Sequence, residues 1–326
     1  MGIKHLNRFL LDECSDHAIR KIHFAEFSNQ IIIVDTSIYM YKFMEKNALL
    51  EHMYLLISIF RTYNITPIFI FDGKPPPEKK DVIEYRKQEK KNAEDKFHQL
   101  QSQLANDSYT EEGLQEIQAE MVELKKRFIR IKDTDFVQIK ALMTAYGIMY
   151  FESRGEADQL CAFLVKHNYA WACMSDDMDM FLYGCPRVIR HVSLSNQTAT
   201  LYDTMRILKE LRMNLKSFKE ILVLSGTDYN MHDKTSLHET IKYYLQYTKS
   251  PDQSTTTFYD WLCANTAYIH DRKQLDRVNA MFDLARFSLN NNEEIRKIID
   301  CLPFRLGEIR RNDLRQVMHA DGFIFV

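Results

Sequence analysis

The 326-residue chain reads as an α/β protein: a twisted, mainly parallel sheet flanked by helices, with a projecting helical pair and a helical C-terminal region. Three observations point there. The runs Gln30-Ile-Ile-Ile-Val-Asp35 and Pro67-Ile-Phe-Ile-Phe-Asp72 have the composition of strands buried on both faces. Helical periodicity fills residues 37–63 between them, which is the order of a right-handed strand–helix–strand unit. From 78 to 132 the chain is charged or polar and has no apolar face before residue 114, so it is expected to project from the body as a pair of helices.

In chain order, residues 3–27 alternate at helical spacing and predict one or two short helices. The two strands and their connecting helix follow. Gly73-Lys-Pro-Pro-Pro77 stops the second strand, because its prolines cannot continue a ladder or a helix. Asn106-Asp-Ser108 divides the polar segment into its two helices. Residues 135–147 predict an amphipathic helix capped by Gly147, and 148–151 a short strand. Ser153 and Glu156 have capping-box spacing, and Asp158 falls in the same first turn, where the helix dipole favours an acid. Ala170-Trp-Ala-Cys-Met-Ser-Asp-Asp-Met-Asp-Met-Phe181 starts as a buried strand and ends in acids. In an extended chain Asp177 and Asp179, two apart, face the same way. Residues 187–192 and 198–202 predict a hairpin, and helices at 204–212 and 215–224 lead to Gly226 and Asp228. Beyond 232 the pattern is helical.

Composition narrows the function classes. A formal net charge of −2 shows no global basic bias, although an acidic cluster would mask a basic face. No apolar run approaches a membrane span, and the charged start is not a signal peptide. Leu6 stands where a myristoylation motif after Gly2 needs Ser or Thr. The six cysteines are scattered without zinc spacing, and most read as core residues in a reducing compartment.

Four apolar segments end in acids: Asp35, Asp72, Asp177 with Asp179, and Asp228. The C-terminal strand ends of an open parallel sheet converge on one crevice. Carboxylates gathered there without His or Cys select hard cations such as Mg²⁺ or Mn²⁺, and a pair of such ions serves phosphodiester hydrolysis. The basic run Lys125-Lys-Arg-Phe-Ile-Arg-Ile-Lys132 offers counter-charge for a polyanion. The residues alone therefore point to metal-dependent cleavage of nucleic acid.

Five blocks make this specific: Met1-Gly-Ile with Val34-Asp-Thr-Ser-Ile-Tyr-Met-Tyr-Lys-Phe43, Phe71-Asp-Gly-Lys-Pro-Pro76 with Arg86 beyond, Gly155-Glu-Ala-Asp158, Asp176-Asp-Met-Asp179 and Ser225-Gly-Thr-Asp-Tyr229. In order and spacing the chain resembles the flap endonuclease family of structure-specific 5′ nucleases (the XPG/Rad2 group). The resemblance implies a PIN/flap-endonuclease-like fold. Its nuclease core would span 1–74 and 134–232, with a helical arch at 75–133 and a helical C-terminal region at 233–326. It implies two Mg²⁺ ions, replaceable by Mn²⁺, on Asp35, Asp72, Glu156, Asp158, Asp177, Asp179 and Asp228. Lys79 and Arg86 match the basic pair that grips the scissile phosphate, Tyr41 an aromatic that stacks on the base beside the cut, and Gly2 a backbone position close to the DNA. Lys125, Lys126, Arg127 and Arg130 are the expected arch contacts to substrate. The implied partner is branched, 5′-flap DNA, met by a monomer in the nucleus during replication, repair or recombination.

Departures are equally legible. Asp158 replaces the family's glutamate, which is consistent with a water-mediated contact. Asn230-Met-His-Asp-Lys-Thr-Ser-Leu237 lacks the family's glycine hairpin for duplex backbone. No clamp-binding motif is seen. A trimmed member of the kind encoded by large DNA viruses fits this pattern. The alternatives are a 5′→3′ exonuclease or RNA-directed nuclease on the same fold, and a catalytically silent DNA-binding factor. Asp176 is expected to point away from the metals, so that Asp176→Asn would be mild.

Overall fold

A computed structural model describes residues 3–106, 110–230, 235–286, 293–319 and 322–323. The strands are β1 (Ile19–His23), β2 (Ile31–Asp35), β3 (Thr66–Phe71), β4 (Met149–Glu152), β5 (Ala172–Met174), β6 (Arg187–Ser193) and β7 (Thr198–Asp203). They form one sheet in the order β1-β7-β6-β5-β2-β3-β4. The run from β6 to β4 is parallel, while β7 and β1 are antiparallel additions at one edge. The helices of the first half are α1 (Leu6–Glu13), α2 (Thr36–Met44), α3 (Leu49–Thr62), α4 (Lys80–Asn106), α5 (Glu111–Arg127), α6 (Asp133–Ala145) and α7 (Ala157–Lys166). Those of the second half are α8 (Thr204–Glu210), α9 (Leu215–Leu224), α10 (Leu237–Tyr247), α11 (Phe258–Asn265), α12 (Arg272–Met281), α13 (Glu293–Ile299) and α14 (Arg311–His319).

Strand alternation builds two cores, one on each face of the sheet. Ile33, Ile68, Ile70 and Cys173 pack with α1, α7, α9 and the helices from α10 to α13. Ile32, Val34, Phe69, Phe71 and Met174 pack with α2, α3, α6 and α14. This explains why Ile31–Val34 of β2 and Pro67–Phe71 of β3 are apolar without interruption. The C-terminal helices share a core with the sheet, so they stabilise the same body that carries the strand ends. Among the described side chains, the polar pair α4 and α5 contributes Val82, Ala93 and Leu124 as buried apolar residues, and the two helices pack on each other as expected.

Three local expectations are corrected. Residues 19–23 are a strand, not helix. Ile19 and Ile22 are buried three apart, a helical spacing, but the segment pairs antiparallel with β7, Ile22 opposite Ala199. Its exposed Arg20, Lys21 and His23 suit an edge. The helix over 37–63 breaks into α2 and α3 around Asn47, whose φ of 52° is tolerated by asparagine better than by most residues. The segment after β5 is not extended through Asp179, because Met178–Phe181 form a 3₁₀ turn.

Candidate metal and nucleic-acid site

The C-terminal ends of β2, β3 and β5 and the start of α7 open onto one cleft of about 190 Å³. It is lined by Asp35, Asp72, Glu156, Asp158, Asp177 and Asp228, together with Tyr41, Lys79 and Arg86. Asp179 does not line it but lies close by, 3 % exposed and within electrostatic reach of Asp177, Asp228 and Lys79. All seven predicted carboxylates and the basic pair are therefore brought together from segments up to 193 positions apart in the chain.

Each acid is held by a traceable local contact. Asp35 ends β2, and its Oδ2 accepts a hydrogen bond from the buried Ser175 hydroxyl at 2.8 Å. The same hydroxyl accepts from the Asp177 amide at 3.1 Å, so Ser175 joins two strand ends. Asp177 caps the 3₁₀ turn, its Oδ1 accepting from the Asp179 amide at 3.0 Å. This cap, rather than strand periodicity, brings the pair together. Asp72 Oδ1 accepts from the Ala157 amide at 2.7 Å and so caps α7. The expected capping box is absent: Ser153 Oγ donates to the Glu156 carbonyl instead. Glu156 is the N-cap residue without a side-chain cap bond, and its carboxylate is free to turn into the cleft.

Gly73 sets the approach of these loops. Its amide donates to the Gly155 carbonyl at 2.7 Å, and a Cβ built on it would stand 1.9 Å from the Ser153 carbonyl oxygen. Backbone on both sides leaves little room to yield. Gly73→Ala is therefore expected to separate Asp72 from Glu156 and lower the thermal midpoint by at least about 4 °C. A melting curve unchanged within 1 °C would contradict this packing, measured by circular dichroism at about 1 °C precision.

The electrostatics are those of a crowded acidic site. Burial raises the Asp35 carboxyl well above its ordinary range, reinforced by Asp72 and only partly offset by Ser175. Burial and then Asp35 and Asp177 raise Asp158, and burial and then Asp177 and Asp228 raise Asp179. The counter-charges come from the base of α4. Lys79, itself only 8 % exposed, places Nζ 2.5 Å from Glu156 Oε1 and 3.6 Å from Asp228. Burial works against its charge, but Glu156 and Asp228 outweigh it and hold the ammonium above its ordinary range. Arg86 donates to both oxygens of Asp228 at 2.8 Å. Tyr229, next to Asp228, donates its hydroxyl to Glu156 Oε2 at 3.0 Å.

The donor set fits a hard divalent cation. It is all carboxylate oxygen, three of its members are pushed up by burial and mutual repulsion, and Asp179 Oδ1 is buried without a hydrogen-bond partner. A divalent charge would relieve both features. Among the described residues no three such side chains already stand as a closed ligand shell, and Glu156 and Asp228 are turned onto Lys79 and Arg86.

Other expected contacts are placed differently. Tyr41 is 42 % exposed at the cleft mouth, with Lys90 Nζ 5.0 Å above its ring. Lys126, Arg127 and Arg130 pair with Glu123, Glu89 and Glu94 of the helical pair, and neither they nor Lys125 line the cleft. Their run reads as a basic stripe in sequence, but the acids of α4 lie across from it. Gly2 and residues 231–234 lie outside the described residues. Ser175, Tyr229 and Lys90 were not singled out from sequence. Adjacency to Asp177 and Asp228 was the available signal for the first two, and Lys90 had none.

The fold is shared with solved nuclease structures. The catalytic core of Rad2 in complex with DNA substrate superposes with a TM-score of 0.60 at 21 % identity, covering 98 % of this chain and 94 % of that one. Flap endonuclease-1 from Methanococcus jannaschii superposes with a TM-score of 0.58 at 19 % identity, covering 98 % and 100 %. In sequence, residues 1–93 match the XPG N-terminal domain and residues 147–228 the XPG I-region, together more than half of the chain. The chain belongs to the XPG/Rad2 flap endonuclease family. Flap endonuclease 1 of Naegleria gruberi is 29 % identical over 249 residues, which cover 70 % of this chain and 60 % of that protein. The human flap endonuclease 1 is 27 % identical over 249 residues, covering 70 % and 62 %. The chain thus spans about three fifths of the length of the curated relatives it matches.

Proposed function

We propose that this protein is a divalent-metal-dependent, structure-specific 5′ nuclease that hydrolyses phosphodiester bonds in branched, 5′-flap DNA. The observation that carries the reading is the cleft itself: six carboxylates line it and a seventh, Asp179, lies buried close by, while Lys79 and Arg86 reach in from the foot of a projecting helical pair. Asp35, Asp72, Glu156, Asp158, Asp177, Asp179 and Asp228 would hold Mg²⁺, or Mn²⁺ in its place. When bound, a pair of such ions supplies an activated water and stabilises the leaving oxygen.

The side chains account for the rest. Arg86, released from Asp228, offers a planar fork suited to a phosphate, and Lys79 offers a point charge where negative charge develops. Tyr41 presents a ring to the base beside the cut, a contact indifferent to sequence. Ser175 and the Asp177 cap keep the acids in register without touching substrate. The helical pair over 75–133 acts as the arch for a free 5′ end, on a nuclease core of 1–74 and 134–232 backed by the helical region 233–326. Support for DNA as partner comes from the solved neighbours, among them human GEN1 in complex with Holliday junction DNA. One described as GEN1 with product DNA and Mg²⁺ supports the metal. The protein would act as a monomer in the nucleus, in replication, repair or recombination. Among the described residues no helix is long and apolar enough to cross a membrane.

The test is single-turnover cleavage of a double-flap DNA in Mg²⁺ against EDTA, with a nicked duplex and single-stranded RNA beside it. The flap is expected to be cut fastest, only with metal, and more slowly when its 5′ end is blocked. Cleavage indifferent to the block would remove threading beneath the arch. Preference for the nick or for RNA would replace the flap reading with an exonuclease or RNA-directed one.

A further inference from the structure

We propose that Asp176 is a positioning residue that ties the Asp177–Asp179 turn to the helix bearing Tyr41 and, through Arg190, to α1. The proposal rests on the nuclease reading and goes beyond it, because Asp176 does not line the cleft. Its side chain does point away from the metal-side acids, but it is fully engaged there. Oδ2 accepts from Lys42 Nζ on α2 at 2.7 Å, Oδ1 accepts from the His191 amide on β6 at 2.8 Å, and its carbonyl accepts from Arg190 Nη2 at 2.8 Å.

The network continues inward. Arg190, 5 % exposed, donates from Nη1 to Asn7 Oδ1 in α1 at 2.6 Å. That oxygen also accepts from the Tyr202 hydroxyl at 2.7 Å, and the guanidinium carbon stands 5.4 Å from the Tyr202 ring centre. Two elements important to the proposed chemistry are therefore held by neighbours in sequence: Lys42 follows Tyr41, and Asp176 precedes Asp177. Asp176 also supplies the negative charge facing both Lys42 and Arg190. Without it, the two cations are left with mutual repulsion in a half-buried setting, where charge interactions are poorly screened. The base-stacking helix and the carboxylate turn would then lose their shared anchor.

Asp176→Asn retains an acceptor for the His191 amide and removes the charge facing Lys42; Lys42→Met removes the other partner. Each is expected to lower single-turnover flap cleavage about 30-fold, in line with a misplacement of roughly an ångström, with flap affinity within about threefold. The double variant should fall no further than either single, because the pair acts as one unit. Native-state hydrogen exchange gives a readout independent of cleavage: amides of 36–44 and 175–181 should open faster together in Asp176→Asn. A wild-type rate in Asp176→Asn overturns the proposal. So do losses that multiply in the double variant, losses that track a fall in thermal midpoint, or faster exchange confined to 175–181. Should the wild-type protein cut none of the DNAs, the nuclease reading fails, and the exchange result alone decides whether Asp176 couples the two segments.

Discussion

Asp177→Ala combined with Asp179→Ala is expected to reduce single-turnover cleavage at least about a thousandfold, the scale seen when preorganised charge stabilisation is removed from a site. That corresponds to roughly 4 kcal/mol of barrier. DNA binding should persist or tighten, because two negative charges facing the phosphates disappear. The physical ground is local. Asp177 caps the turn that presents Asp179, and Asp179 brings a buried oxygen without a partner, so both lose a cation-facing role at once. The measurement is a quenched-flow time course on a 5′-flap substrate in Mg²⁺, paired with fluorescence anisotropy in Ca²⁺. A double variant that cuts at the wild-type rate would remove these two residues from the site. One that neither cuts nor binds would show that the turn is needed for folding instead.

Arg86→Ala comes second in expected size, with a loss of about a hundredfold in the cleavage step and of no more than a few-fold in affinity, the share of one phosphate contact. Arg86 is 45 % exposed and stands 2.8 Å from Asp228 at the cleft, free to exchange one anionic partner for another. Its exposure also means that the ion pair adds little to stability, so the thermal midpoint should stay close to wild type. Parallel losses in rate and affinity would mean that Arg86 only seats the substrate. A large drop in midpoint would mean that the Arg86–Asp228 pair is structural.

Much of this site was legible in the chain before it was folded. Asp35 and Asp72 sit where continuous apolar runs stop, and a buried parallel strand has to end at a sheet edge shared with its neighbours. The polar stretch after Pro77 could not be core, and α4 and α5 indeed bury few apolar side chains. What escaped were features made by partners far away in sequence. Ile19 and Ile22 looked helical because their burial partner, β7, lies some 180 positions on. Ser153 and Glu156 had capping spacing, yet the helix starts one residue after Glu156, and Asp72, 85 positions from Ala157, caps it there. Nor does the basic run around Lys126 record that Glu89 and Glu94 of α4 lie across from Arg127 and Arg130. Asp176 was seen to point away from the acids, but Lys42 and Arg190 make that direction an anchor.

The sequence by itself determined the strand ends, the acids they carry, the helical pair and the family, because these depend on apolar runs, breakers and motifs that act over a few residues. Only the tertiary structure decided which partner each acid turns to, that Lys79 lies buried against Glu156, and that Ser175 and Asp176 tie the turn to β2, α2 and β6. The reason is that orientation is set by hydrogen bonds and ion pairs between segments tens to hundreds of residues apart, and no local pattern records which of several possible partners arrives.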